Sequence, residues 1–311
     1  MGKLVLVFPG QGSQTVGMGR ELVSAYEAAA QIYDRAGELL QRDIAGLSFE
    51  GPEEELDRTE NAQVALFVNS MAVKAVLDEK GVDADAVTGH SLGEYSALVA
   101  AGAIDFDTGL KLVARRGETM SAAAAERPGA MAAILGLEDE QVEEICSGAG
   151  EVWPVNYNSP GQLVVSGETA SVERAMSMAE ARGAKKTVRL AVSGSFHSPL
   201  MRQAAGVMKA ELGRVVFQEP APPFLSSISC DYEGAAGLAG LLVNQIVSPV
   251  RWRQAVEKLI QDGADRFLEA GSGKVLCGLI RRINRGVTVA NASGPASLEK
   301  ALAALKMGQR T

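Results

Sequence analysis

Short, uninterrupted apolar runs alternate with longer amphipathic segments over the first part of the chain. Residues 4–8 form one such run, which ends in a glycine-rich loop, Pro9-Gly10-Gln11-Gly12. A short apolar run bounded by turn residues is typical of a strand buried on both faces. Strands of this kind alternating with amphipathic helices predict a parallel sheet that is covered by helices.

The pattern changes after Gly129, where shorter elements follow one another closely. We predict a strand over 130–135, a helix over 138–146, strands over 152–157 and 163–166, a helix over 171–181 and a strand over 188–192. This β-α-β-β-α-β order is the ferredoxin-like arrangement. We therefore expect a large α/β domain, residues 1–127 and 197–311, with an inserted ferredoxin-like subdomain, residues 128–196.

The remaining chain returns to the larger domain. The pattern predicts a helix after Pro199, a strand near 224–228, a helix over 250–261 and a strand over 266–269. Gly271-Ser272-Gly273-Lys274 lacks the spacing of a phosphate-binding loop, so we interpret it as a strand-to-helix turn.

Composition and the cysteines limit the class of protein. The chain has 311 residues, 47% of them hydrophobic, which is enough for a substantial core. No apolar run approaches a membrane span, and the first strand begins too early for a signal peptide, so we expect a cytoplasmic protein without membrane contact. Three widely spaced cysteines with few histidines favour reduced structural thiols over a disulfide framework or a metal site.

Charge is negative overall but unevenly distributed. The formal net charge of -8 disfavours nucleic acid and anionic membranes as partners. Basic residues nevertheless cluster in two places, which are Arg182, Lys185, Lys186 and Arg189, and Lys274, Arg281, Arg282 and Arg285. These clusters predict either a docking surface for an acidic or phosphorylated partner or ordinary solvated surface.

One pentapeptide carries candidate chemistry. Gly89-His90-Ser91-Leu92-Gly93 lies between a short apolar stretch and a helix-forming one. A Gly-x-Ser-x-Gly run at such a junction is typical of a nucleophile elbow, which places the serine at a helix N-terminus, as in α/β-hydrolase-like domains. The alternative is a glycine-rich turn with an inert serine.

Histidine is scarce, which narrows the choice of base. A serine hydroxyl needs a proton acceptor, most often an imidazole, and the chain has two histidines. Neighbouring side chains at a strand end point to opposite faces, which argues against His90 as the base for Ser91. His197 remains, directly after the predicted strand 188–192. Alone it would be interpreted as a packing residue; beside an elbow serine it is a candidate base.

The chain resembles a known family, the malonyl-CoA:acyl carrier protein transacylases and the related acyltransferase domains of polyketide synthases. The matching motifs cover nearly the whole chain in the family's order. They are Phe8-Pro9-Gly10-Gln11-Gly12-Ser13-Gln14, Gly89-His90-Ser91-Leu92-Gly93-Glu94, Arg115-Arg116-Gly117, Asn156-Tyr157-Asn158-Ser159-Pro160-Gly161-Gln162, Phe196-His197-Ser198, and Gln245 ahead of Ser248-Pro249-Val250-Arg251-Trp252.

The resemblance implies a catalytic dyad with an unusual third member. Ser91 would be the acylated nucleophile and His197 its base. The group that orients the histidine would be the backbone carbonyl of Gln245 rather than a carboxylate. A main-chain group leaves no side-chain signature, so the Gln245 amide alternatively packs or caps a helix.

The resemblance also implies the groups that bind the substrate. Gln11 and the Leu92 amide would form the oxyanion hole, and Arg116 would bind the free carboxylate of a malonyl group through its planar fork. Phe196, beside the base, would restrict the acyl pocket. From the residues alone, Gln11 also fits a plain turn, Arg116 a solvated helix face and Phe196 simple core packing.

These expectations define one activity and its partners. The activity is ping-pong transfer of malonyl from malonyl-CoA to the phosphopantetheine thiol of acyl carrier protein, in fatty acid or polyketide synthesis. The enzyme is expected to be a monomer that needs no cofactor or metal. Lys185, Lys186, Arg281 and Arg282 would dock the acidic carrier. The alternatives are a serine hydrolase or thioesterase of the α/β-hydrolase type, the acyltransferase subunit of a malonate decarboxylase, and a carrier-docking module without catalysis.

Overall fold

The computed structural model describes residues 2–192 and 194–305, which form a mixed α/β structure with two separate sheets. A parallel sheet has the strand order β2-β1-β7-β8, and an antiparallel sheet has the order β4-β5-β3-β6. The strands are β1 (Lys3–Phe8), β2 (Ala86–Gly89), β3 (Ala130–Leu135), β4 (Val152–Ser159), β5 (Gln162–Gly167), β6 (Lys186–Arg189), β7 (Ala264–Ala270) and β8 (Thr288–Ala292).

Helices cover both faces of the parallel sheet. The helices of the described residues are α1 (Arg20–Ala25), α2 (Glu27–Leu40), α3 (Ile44–Glu50), α4 (Glu53–Leu56), α5 (Thr59–Glu79), α6 (Gly93–Ala100), α7 (Phe106–Glu126), α8 (Asp139–Ala149), α9 (Thr169–Ala181), α10 (Arg202–Leu212), α11 (Ala235–Gln245), α12 (Trp252–Gln261), α13 (Val275–Ile283) and α14 (Pro295–Ala304). Of these, α8 and α9 pack against the antiparallel sheet instead. None of those in the described ranges is both long and apolar enough to cross a membrane.

Strand β1 is buried on both faces, as its uninterrupted apolar run predicted. Leu4, Leu6 and Phe8 pack into the core that contains α5, α6 and α7. Val5 and Val7 point the other way, into the core under α12 and α13. Because β1, β2 and β7 run parallel, the loops that follow them leave the sheet at one edge.

The antiparallel sheet also has two different faces. Ala132 and Ile134 of β3 pack against α8 and α9, whereas Met131 and Ala133 belong to the core of the parallel sheet. Because successive side chains of β3 point to opposite faces, this strand contributes both to the core under α8 and α9 and to the core of the parallel sheet. The element order over residues 130–189 is β-α-β-β-α-β, as the sequence predicted.

Three predictions about elements were wrong. The alternation of strands and helices fails between β1 and β2, where α1–α5 follow one another without a strand. The strand predicted over 188–192 is β6, Lys186–Arg189: the Leu190 amide makes a last hydrogen bond to the Met131 carbonyl at 2.9 Å, and residues 190–192 line a cavity. The strand near 224–228 is reduced to two isolated bridges, a parallel one between Phe224 and Val87 of β2 and an antiparallel one between Leu225 and Tyr232.

Candidate active site

Ser91 lies on a sharp turn between β2 and α6, as the pentapeptide predicted. Its φ of 52° is left-handed. Both flanking glycines are required by close backbone approach: a Cβ on Gly89 would lie 2.0 Å from the Gly93 carbonyl carbon, and one on Gly93 would lie 2.0 Å from the Phe8 oxygen. No side chain fits at those distances, so the turn brings Ser91 close to the start of α6.

His197 reaches Ser91 from a distant part of the sequence. The Ser91 hydroxyl donates to His197 Nε2 at 2.7 Å. On the other side of the ring, Nδ1 donates to the backbone carbonyl of Gln245 at 2.8 Å. A carbonyl only accepts, so this bond places the ring proton on Nδ1 and leaves Nε2 free to accept the serine proton.

His197 is held as a neutral base. Burial, followed by the nearby charge of Arg116, lowers the pKa of His197 to about 3. Neutral imidazole is the form that accepts a proton from Ser91. His197 itself has a left-handed φ of 60°, and the neighbouring turn is fixed by a 2.6 Å hydrogen bond from the Ser198 hydroxyl to the Ser195 carbonyl.

Arg116 is a buried cation beside the serine. It lies on α7 with 1% of its surface exposed. Its guanidinium donates to the Gln63 side-chain oxygen at 2.6 Å, to Ser91 Oγ at 3.0 Å and to Gln245 Oε1 at 3.0 Å. All three acceptors are neutral, and no carboxylate of residues 2–192 or 194–305 forms an ion pair with Arg116. Its Nε also has no hydrogen-bond partner within that part of the chain.

Gln11 and Leu92 face the same cavity as the dyad. The cavity has a volume of about 370 Å³ and is lined by Gln11, Ser91, Leu92, Arg116 and His197, and on its apolar side by Met120, Met131, Leu190, Val192 and Phe196. Gln11 follows β1 and its side-chain nitrogen donates to Thr59 Oγ1 at 3.2 Å. The structure thus brings together Ser91, His197, Arg116, Gln11 and Gln245, the residues that the sequence predicted for the site.

Comparison of the sequence with known proteins assigns the chain to a family. A model of the acyl transferase domain matches residues 5–293. The malonyl CoA-acyl carrier protein transacylases of Bacillus subtilis (strain 168) and Escherichia coli (strain K12) are 42% and 41% identical, with 98% and 97% of this chain and 98% and 99% of theirs covered. The chain belongs to this transacylase family.

Solved structures of transacylases have the same fold. The Xanthomonas oryzae malonyl-CoA:acyl carrier protein transacylase superposes with a TM-score of 0.94 at 40% identity over 98% of both chains. A malonyl-transacylase in complex with a type II PKS acyl-carrier protein superposes with a TM-score of 0.94 at 41% identity, covering 97% of this chain and 99% of that one. The family resemblance predicted from the ordered motifs is thereby confirmed.

His90 does not contact the Ser91 hydroxyl, as the sequence predicted: its Nε2 donates to Asn158 Oδ1 at 3.0 Å, and its ring lies 5.7 Å from that of Trp252.

Three residues of the transacylase site were missed by sequence reasoning. Gln63 holds Arg116 from α5, and its signal was a polar position in an otherwise apolar run. Met120 and Met131 resemble ordinary core residues in sequence, and only the fold places them at the cavity.

The two basic clusters lie next to each other. Arg282 donates to the Gln162 side chain at 2.6 Å, and both Gln162 and Lys186 pair with Leu135 of β3. Lys185 and Lys186 are exposed at the start of β6. Arg281 is exposed on α13 and donates to the Val289 carbonyl at 2.9 Å.

Both arginines of the first cluster are paired with acids. Arg182 forms a salt bridge with Glu144 at 3.0 Å, and Arg189 with Glu173 at 2.9 Å. This pairing reduces the positive charge that these two arginines present to a partner.

The cysteines Cys146, Cys230 and Cys277 are free, and the described residues contain no group of three or more His, Cys, Asp or Glu that could hold a metal ion.

The low pKa of His197 predicts its titration. The folded-state pKa is below the ordinary value near 6.5, so the neutral ring persists as pH falls through 6.5, and its contribution to stability is lost as pH falls toward 3. Histidine NMR on a His90→Gln variant, which leaves one imidazole, should show no titration between about pH 5 and 8. Arg116→Ala should raise this pKa, whereas the exposed neighbour Arg115→Ala should not. A midpoint near 6.5 in the parent protein would contradict the assignment.

Proposed function

We propose that this chain transfers the malonyl group of malonyl-CoA to the phosphopantetheine thiol of an acyl carrier protein, through a malonyl ester of Ser91. One observation carries the proposal. Arg116 is a buried cation without a carboxylate partner among the described residues, 3.0 Å from the nucleophilic oxygen. The names of the relatives support the same reaction.

The first half-reaction loads the serine. The Ser91 hydroxyl gives its proton to His197 Nε2 as Oγ attacks the thioester carbonyl. The Leu92 amide and Gln11 donate to the resulting oxyanion, aided by the N-terminus of α6. The tetrahedral intermediate then collapses, the carbon–sulfur bond breaks, and coenzyme A leaves as a thiol with the proton from His197.

The second half-reaction repeats these steps with a different thiol. His197 accepts the proton of the carrier's phosphopantetheine thiol as its sulfur attacks the malonyl ester. The carbon–oxygen bond breaks and Ser91 regains its proton from His197. A thioester is exchanged for a thioester, so the balance closes without a cofactor, metal or redox partner. The substrates are malonyl-CoA and the carrier with a free phosphopantetheine thiol, and the products are coenzyme A and the malonyl-loaded carrier.

Arg116 selects the acyl group. A buried charge without a partner is costly, and a bound carboxylate offsets part of that cost through charge-assisted hydrogen bonds. The free Nε of Arg116 supports this role, because it is a donor left over when the neutral acceptors are satisfied. Phe196, with Met120 and Met131, forms the apolar wall that restricts substituents on the acyl α-carbon.

The hydrolase alternative is supported less well. A hydrolase triad orients its histidine with a carboxylate, whereas here Nδ1 donates to the Gln245 carbonyl. A malonate decarboxylase subunit would use the same site, and the carrier it accepts distinguishes it. A docking module without catalysis would not need the 2.7 Å contact between Ser91 and His197.

The finer architecture is part of the proposal. Residues 1–127 and 197–311 would form an α/β-hydrolase-like domain, and the elbow that follows β2 supports this assignment. Residues 1 and 306–311 lie outside the described part of the chain. Residues 128–196, of which 193 is not described, would be an inserted ferredoxin-like subdomain. The β-α-β-β-α-β order and the strand order β4-β5-β3-β6 support this assignment. We propose a cytoplasmic monomer.

Acyl loading tests the proposed function directly. After mixing with malonyl-CoA, intact-mass measurement should find one malonyl adduct on the parent protein and none on Ser91→Ala. His197→Ala should load more slowly by a factor of about 10² to 10⁴, the usual contribution of a positioned base. Normal loading of Ser91→Ala would place the nucleophile elsewhere, and an unmodified parent would overturn the reaction.

Acyl selectivity tests the role of Arg116. Truncating one partner of a buried charge pair costs about 2–5 kcal/mol, which is roughly a 30- to 4,000-fold loss of malonyl transfer in Arg116→Ala. Acetyl transfer should fall far less, because acetyl has no carboxylate. A competition between malonyl-, methylmalonyl- and acetyl-CoA measures the ratios. The matched control is Arg115→Ala, an exposed residue paired with Glu118 and Glu211; equal ratios in the two variants would exclude the carboxylate role.

Charge reversal tests the docking surface of Lys185, Lys186, Arg281 and Arg282. Their replacement by glutamate should raise the KM for carrier protein by roughly three- to tenfold per residue while malonyl-CoA still loads Ser91 at the parent rate. The effect should shrink as salt screens the field. Arg214→Glu, at a highly exposed position outside the cavity lining, is the control with the same charge change. Equal damage to both half-reactions would mean that the clusters bind coenzyme A or are structural.

A further inference from the structure

Glu94 is a buried carboxylate that the reaction steps above do not use. It lies in the first turn of α6 and is fully buried. Its Oε1 accepts from the Ser226 hydroxyl at 2.8 Å, the Ser227 amide at 2.6 Å and the Ser227 hydroxyl at 3.0 Å. Three donors on one oxygen fix the carboxylate and leave its other oxygen for a different partner.

That partner is the side chain of Gln245. Gln245 Nε2 donates to Glu94 Oε2 at 2.5 Å and to the Ser91 backbone carbonyl at 2.9 Å. The Ser91 carbonyl only accepts and the Arg116 guanidinium only donates, so these two groups determine which end of the amide is the nitrogen. The amide oxygen must then face the other way, where it accepts from Arg116 at 3.0 Å.

Gln245 therefore joins two groups of the site through two different atoms. Its backbone carbonyl accepts from His197 Nδ1, and its side-chain oxygen accepts from Arg116. Gln245 is the last residue of α11, so the hydrogen bonds that hold its amide also restrain the main chain that carries its carbonyl. The base and the substrate-binding cation thus depend on one residue, whose amide is held by Glu94.

We propose that Glu94 is a positioning residue that acts through Gln245 to orient both His197 and Arg116. The inference deepens the proposed function and rests on it. Glu94 does not touch the reacting atoms. Burial raises the pKa of Glu94, and the hydrogen bonds from Ser226, Gln245 and Ser227 oppose that rise by favouring the carboxylate. The Gln245 amide separates this group from the guanidinium, so it does not compete for the donors that a malonyl carboxylate needs.

A purely structural role is the alternative. Glu94 ties the start of α6 to the Ser226–Ser227 turn, and loss of those hydrogen bonds alone would destabilise the protein. Glu269 provides a matched control, since it is also a fully buried carboxylate and accepts from the Leu276 and Cys277 amides at the start of α13. It has no hydrogen bond to Ser91, His197, Arg116 or Gln245 among the described residues.

The experiment compares Glu94→Gln with Glu269→Gln. Single-turnover loading from saturating malonyl-CoA is followed by intact mass, thermal unfolding measures stability, and histidine NMR reports which ring nitrogen of His197 carries the proton. Glu94→Gln should slow loading by about 10- to 100-fold, as misplacement of catalytic groups does, and should mix the two His197 tautomers. Glu269→Gln should lower the unfolding temperature while loading stays within about twofold of the parent.

A double-mutant cycle tests the route through Gln245. If Glu94 acts through that side chain, Glu94→Gln combined with Gln245→Ala should be no slower than Gln245→Ala alone. Additive losses would overturn the proposal. If Glu94→Gln does not fold, Glu94→Asp keeps the charge but shortens the reach to Gln245, and loading at the parent rate would equally overturn it.

The outcomes separate this inference from the proposed function. A parent protein that does not load malonyl contradicts the proposed function, while the His197 tautomer in Glu94→Gln still decides the positioning role. A parent that loads, with Glu94 variants that load equally fast and keep a single tautomer, contradicts only the positioning role.

Discussion

The hydrogen bond from His197 Nδ1 to the backbone carbonyl of Gln245 is the interaction on which the site depends. It fixes the tautomer of the base, and through the base it fixes the direction in which the Ser91 proton leaves. A carbonyl carries no full charge, so it stabilises an imidazolium less than a carboxylate would. The arrangement suits a dyad in which a neighbouring arginine already opposes protonation of the ring.

The same arginine explains why a carboxylate would be unsuitable in the place of Gln245. An aspartate or glutamate beside His197 would lie within reach of Arg116 and would neutralise it. Arg116 is instead held by the oxygens of Gln63, Ser91 and Gln245. Neutral acceptors orient the guanidinium and leave its charge available to an acyl group. In the proposed function, the main-chain acceptor for the histidine and the binding of an anionic acyl group are therefore linked.

The sequence predicted the parts of the site that have a local signature. Ser91 has an elbow, His197 was selected because the chain has two histidines, and the motifs that placed Gln11, Arg116 and Gln245 identified the family. Glu94 lay in a quoted motif but received no role, because a carboxylate in a helix is usually solvated and only the fold buries it. Long-range packing of this kind cannot be inferred from one sequence.

The fold was predicted to a similar extent and for similar reasons. The β-α-β-β-α-β order of residues 130–189 followed from local periodicity. The end of β6 did not, because Leu190 and Val192 are as apolar as strand residues, but both line the cavity and the ladder ends with the hydrogen bond from the Leu190 amide to Met131. The segment at Phe224 ends after one bridge to β2 for a related reason: Ser226 and Ser227 donate to Glu94 rather than continue along β2. In both places the functional site competes with regular structure.

The backbone is strained at both members of the dyad, and the surrounding core holds it in that conformation. Ser91 and His197 both have left-handed φ angles, of 52° and 60°, and such positions cost on the order of 1–3 kcal/mol each in residues with a Cβ. The strain persists because the surroundings are rigid: glycines lock the elbow against β1, and the Ser198 hydroxyl ties the turn after His197 to Ser195. Fully buried α5 residues and their partners on α7 form the core behind Arg116. A rigid core on one side and strained turns on the other keep the serine, base and cation in contact range before any substrate binds, which lowers the entropic cost of reaching the transition state.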